Sequence, residues 1–119
     1  MTLRTRSLAL AALPAVALAG GALAHHGWGS YDAAKAFKIT APVEMLSWSN
    51  PHAHVMLKHE GETWEATLAP LFRMEARGLE PDMIKAGTSV TLEGYASTKV
   101  PTELRAERIL VDGKTFELR

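Results

Sequence analysis

Phe37, Ile39, Ala41, Val43 and Met45 recur at every second position, with Lys38, Thr40 and Glu44 on the opposite parity. That is the period of a half-buried strand. Pro42 has no N–H for a ladder, which places part of this strand at an edge or a bulge. Near Leu46 the phase shifts, because Trp48 falls on the face opposite Met45. A bulge accommodates such a shift, so the pattern predicts one long bent strand over 36–48. Ser49-Asn50-Pro51 ends it. Alternation resumes over 52–59, with Val55 and Leu57 on one face and His52, His54, Met56 and Lys58 on the other. Glu60-Gly61 is a tight connection, and Trp64, Ala66 and Leu68 then alternate with Thr63, Glu65 and Thr67. Strand, short turn and strand predict a hairpin.

Pro70 begins a different texture. Leu71, Met74 and Leu79 approach helical spacing, Pro70 suits an early helical position and Gly78 a helix end. Pro81 to Lys85 predicts a second short turn, closed by Gly87. Val90, Leu92, Gly94 and Ala96 return to period two. A last strand is expected over about 104–111, where Leu104 and Leu110 share one parity and Ile109 and Val111 the other, leaving its inward face ambiguous. Asp112-Gly113 is a turn signal before a short terminal strand from Thr115 to Leu118. The expected class is all-β with one short helix, in the order β-β-β-α-β-β, matching a small five-stranded OB-like barrel. Closure would hide the sheet edges and make a core from one sheet. An open antiparallel sheet and a small sandwich are the alternatives.

The first 35 residues do not follow these patterns. Arg4 and Arg6 precede an apolar run from Leu8 to Ala19, and small residues lead up to Ala24. These are the three regions of a signal peptide, with a cut expected after Ala24. The run is short for a bilayer span and His25-His26 follow it directly, so no stable membrane insertion is expected after cleavage. The expected address is periplasmic or otherwise secreted. The resulting division is a signal peptide over 1–24, an irregular histidine- and glycine-rich arm over 25–35 and the OB-like domain over 36–119. Removing Arg4 and Arg6 from the 13 basic residues leaves 11 against 13 acidic ones, a formal charge of −2. That balance gives no electrostatic footprint for nucleic acid. The chain has no cysteine, so it has neither disulfide nor thiolate chemistry.

The candidate chemistry is metal binding. On a regular strand His52 and His54 share a face, their Cα atoms about 6–7 Å apart from twice the strand rise. Met56 continues that face with a soft thioether suited to monovalent copper. A cut after Ala24 would give His25 a free α-amine beside its ring, and an amine with an ordinary pKa near 8 can yield its proton to a metal. With His52 or His54 this makes an all-nitrogen set, copper before zinc, with His26 as a competing donor. The function expected on this reading is metal carriage, buffering or delivery, exchanging the ion with a donor or acceptor protein. On the alternative reading the histidines are structural. The chain is then a non-enzymatic periplasmic OB-like module that binds a small molecule, a polymer or a partner protein. His59, beside Glu60 in the hairpin turn, is expected to be exposed. No G-x-S-x-G elbow or H-E-x-x-H helix is present, so no catalytic residue is predicted.

Ala24-His25-His26-Gly27, Glu44 with Trp48-Ser49-Asn50-Pro51-His52, Glu75-Ala76-Arg77-Gly78-Leu79 and Lys85 through Tyr95 together resemble an exported bacterial family, the domain-of-unknown-function family 6152. The family pattern falls on His25, His26, Asn50, Pro51 and His52, whereas His54 has no counterpart in it. The resemblance implies a small OB-type protein outside the cytoplasm, and it implies no particular activity.

Overall fold

The structure, a computed structural model, describes residues 28–119. Seven strands form a single sheet: β1 (Tyr31–Pro42), β2 (Met45–Ser47), β3 (His54–His59), β4 (Glu62–Thr67), β5 (Ser89–Ser97), β6 (Glu103–Val111) and β7 (Lys114–Glu117). Between β4 and β5 lie α1 (Leu71–Ala76) and a 3-10 turn (Pro81–Ile84). The hydrogen-bonded order is β1-β5-β6-β4-β3-β2, with β7 also paired to β6. All pairings are antiparallel except β4 with β6, which sets Thr67 opposite Arg105.

The expected closed five-stranded barrel is therefore corrected in two respects. There are seven strands among the described residues, and no ladder joins β1 to β2 at the two ends of the order. The strand expected over 36–48 starts earlier, at Tyr31, and divides after Pro42. The Val43 N–H donates to Thr88 O and the Glu44 N–H to Met56 O, at 2.8 Å each. Adjacent residues thus bond to opposite neighbours. β1 follows β5, β2 follows β3, and a residue that cannot donate stands at the point of division. The seventh strand is the C-terminal segment, which turns at Asp112-Gly113 and runs back along β6. Both turn residues have positive φ, 51° and 73°, and so do Glu60 and Gly61 in the β3–β4 hairpin. Two-residue hairpin turns with positive φ match the twist of the strands they join.

The ambiguous parity of β6 has a physical cause. The β5–β6 register places Glu93 opposite Arg108 but Gly94 opposite Ala106, so Glu107 is an extra residue on β6. This bulge moves the inward face from even to odd positions. Leu104 and Ala106 are buried before it, and Ile109 and Val111 after it.

The inward residues of the sheet meet Met74 from α1, Leu79, and Ile84 from the 3-10 turn in one apolar cluster. Leu57, Leu92 and Leu104 in that cluster are completely buried. Leu92→Ala is expected to lower unfolding free energy by about 2–5 kcal/mol, from lost transfer energy and the cavity left behind. Denaturant titration reads this as a lower midpoint at unchanged slope. Arg73 and Arg77 of the helical segment donate to the carbonyls of Leu118 and Glu117, tying the chain's end to the same core.

Candidate functional site

The outer side of the β4–β6 junction carries a cleft of about 430 Å³. Its walls come from distant parts of the chain. Ser30 leads into β1 and Tyr31 opens it, Pro51 and His52 precede β3, and Ser97 ends β5 with Lys99 and Val100 after it. His54, Thr67, Glu103 and Arg105 come from the strands between. The Thr98 N–H and hydroxyl both donate to Ser30 O, at 2.8 and 3.0 Å, which pins the start of β1 to the end of β5. A further depression of about 400 Å³ lies against Met83, Thr88, Ser89, Val111 and Asp112, none of which is a buried charged side chain.

Arg105 distinguishes the first cleft. Strand alternation puts it on the face opposite Leu104 and Ala106, where a cation ordinarily meets water. Here its side lies under the first residues of the described chain, and it is only 7 % exposed. Its guanidinium carbon is 4.9 Å from the centre of the Trp28 ring, within cation–π range. Its Nη2 is 3.5 Å from His52 Nε2, a long contact, and its Nε has no hydrogen-bond partner. None of the ion pairs among the described residues includes Arg105. Burial, chiefly, and the charge of Arg73 lower its pKa from the usual guanidinium range, but an arginine remains a cation in proteins.

The surrounding groups are already ordered. The Tyr31 hydroxyl donates to Glu103 Oε1 at 2.7 Å, and burial, then the Glu103 carboxylate, raises the phenol's pKa. Trp28 meets Tyr31 and Tyr95 edge-on, with ring centroids 6.4 and 5.9 Å apart, and a second guanidinium, from Arg119, is 4.6 Å from its centre.

His52 and His54 both line the cleft but face different partners. His54 Nδ1 is 3.2 Å from Thr67 Oγ1 and 3.3 Å from Glu65 Oε1, both on β4. His52 lies ahead of β3, in the loop after Pro51, and faces Arg105 on β6. Met56 is opposite Met45 and Glu65, beside a smaller hollow that His54 also lines. Among the described residues no group of three or more His, Cys, Asp or Glu side chains is placed to hold a metal ion. The expected copper or zinc site, and with it metal carriage, is corrected on this ground. The physical reasons are that the strand histidine is bonded to its own sheet neighbours and that His52 faces a cation, which repels another. His25 and His26 lie outside the described residues. His59, expected to be exposed, packs edge-on against Trp64 at 5.9 Å and tilted against Phe37 at 6.0 Å, and is half-buried.

The His52 pKa is lowered by burial, then by Arg105 of β6, His54 of β3 and Arg73 of α1. The unfolded chain takes up a proton near the ordinary value of 6.5, whereas the folded chain resists it. Stability is therefore fully present above about pH 6.5 and declines as pH falls from there toward the depressed folded value. Unfolding midpoints measured between about pH 7.5 and 5 should show this decline, and His52→Gln should flatten it.

Sequence patterning missed Lys99, Glu103 and Arg105. An arginine between two strand-core residues has the ordinary outward parity. Its burial depends on Trp28 and Tyr31 folding back over β6, which alternation does not register.

Among the described residues these features define a small, mostly β protein with one short helix and a ligand-sized cleft beside a buried cation. A model of a family of unknown function, DUF6152, matches residues 12–103, and the chain belongs to that family. The match ends two residues before Arg105. No curated protein matches the chain. No helix among the described residues is long and apolar enough to cross a membrane.

Proposed function

We propose that this chain is an exported, non-enzymatic binding module, periplasmic or otherwise secreted, that takes a small polar molecule in the cleft beside Arg105. One observation carries this reading: a guanidinium buried to 7 % exposure, with an unsatisfied Nε, lines a cavity of about 430 Å³. That volume falls within the range of small-molecule sites. A buried polar group without a partner costs free energy, so the arrangement makes sense if a ligand supplies the missing acceptor. His52 and His54 act structurally. His54 ties β3 to β4, and His52 caps one side of Arg105.

The test is a chemical-shift survey of the full chain against small neutral, anionic and cationic polar molecules. A saturable response confined to Tyr31, His52, Thr67, Ser97 and Arg105 is expected. Absence of any such response, or responses confined to other surfaces, would remove the cleft as the binding site. Export is checked separately by fractionating cells that express the full chain. The extracytoplasmic protein is expected to begin at His25.

A further inference from the structure

The charges around the cleft bear on which molecules it can take. This step rests on the cleft being a binding site. Arg105 brings a buried positive charge and Lys99 a second one at the exposed mouth. The one carboxylate lining the cleft is Glu103, and its Oε1 already accepts from the Tyr31 hydroxyl at 2.7 Å. No ion pair among the described residues neutralises Arg105. Its free donor is Nε, one arm of the planar fork by which guanidinium groups grip two oxygens at once. A desolvated cation with an unpaired donor favours an anion over a neutral molecule, because charge-assisted hydrogen bonds are the stronger ones.

We propose that the cleft binds a small oxyanion, the carboxylate of an organic acid or a phosphate group, through the guanidinium of Arg105, with Lys99 as the second cation at its mouth. A cationic ligand is disfavoured by both. The Trp28 ring stacks on the guanidinium, and Nε is buried without a hydrogen-bond partner of its own.

The full chain is titrated by NMR with succinate, with inorganic phosphate and with succinamide, the uncharged counterpart of succinate. Succinate, phosphate or both are expected to shift Tyr31, His52 and Arg105, while succinamide leaves them unmoved. Tighter succinate would assign the ligand to organic acids, and tighter phosphate to phosphate-bearing molecules. Arg105→Gln should weaken binding at least tenfold, with Arg105→Lys recovering part of the loss. Lys99→Gln, an exposed change that leaves the core untouched, should weaken it about threefold. A bound anion should also raise the His52 titration midpoint in the unaltered protein, a readout that needs no variant to fold. Succinamide binding as tightly as succinate would overturn the anion preference and leave the cleft a binding site. Anion binding unaffected by Arg105→Gln would overturn the role of Arg105. If none of the three probes moves the cleft residues while other small molecules do, the cleft binds but takes no oxyanion. If no molecule of any charge does, both readings fail together.

Discussion

Gly94→Ala is expected to destabilise the protein by about 3 kcal/mol or more, at or beyond the upper end of what overpacking costs. A Cβ at residue 94 would lie 2.0 Å from the carbonyl oxygen of Arg105, 2.8 Å from its carbonyl carbon and 2.9 Å from the Ala106 Cα. All three are backbone atoms of β6, so no side chain can swing away. The β5–β6 ladder must separate just where the Glu107 bulge brings the strands together. Gly61→Ala makes the comparison clear. That glycine has a φ of 80° and nothing within 4 Å of an added Cβ, so only the conformational penalty of about 1–2 kcal/mol applies. Denaturant titrations of the two variants should differ by at least 1 kcal/mol. Because the displaced carbonyl belongs to Arg105, ligand affinity should fall in Gly94→Ala and hold in Gly61→Ala.

Arg105→Met is expected to act in the opposite direction. Methionine keeps most of the aliphatic stem and removes a charge that has no ion-pair partner among the described residues. Replacing desolvated charge by apolar volume is commonly stabilising by about 1–4 kcal/mol. Losing the desolvated contact with Trp28 gives back about 2 kcal/mol, so a net gain of up to about 2 kcal/mol is expected in the unliganded protein. The same variant should bind no anion. A residue whose removal strengthens the fold and abolishes binding is the signature of stability exchanged for function. A loss of more than 1 kcal/mol would instead assign Arg105 a structural role.

Much of the scaffold was legible in the alternation of hydrophobic positions. Val55 and Leu57 of β3, Ala66 and Leu68 about β4, and Val90 and Leu92 of β5 are buried as their period requires. The hairpin at Glu60-Gly61 and the helix after Pro70 also follow from local residue chemistry. What local pattern could not reveal is where the strand after Phe37 divides. Val43 and Glu44 continue the alternation, yet they bond to opposite neighbours, a choice made by strands distant in sequence. The ambiguous parity of β6 was a real signal, and the Glu107 bulge is its cause. The candidate site was less legible. An HxH pair attracts attention by spacing, but spacing carries no information about Thr67 and Glu65, which engage His54. Arg105 sits at an unremarkable outward position and becomes distinctive only when Trp28 and Tyr31, more than seventy residues earlier, cover it.

The parallel pairing of β4 with β6 also has a kinetic consequence. The β3–β4 hairpin can close as soon as its own residues are available, on a microsecond timescale of about 1–10 μs. Thr67 cannot meet Arg105 until the helix, the 3-10 turn and β5 have been placed, and Tyr31 must find Ser97 across a still longer loop. Such remote closures are slow steps because loop entropy is lost before contacts compensate for it. The cleft is thus assembled among the last features of folding. Ligand capture during refolding should lag behind the appearance of hairpin structure, so a ligand would recognise finished molecules and pass over partly folded ones.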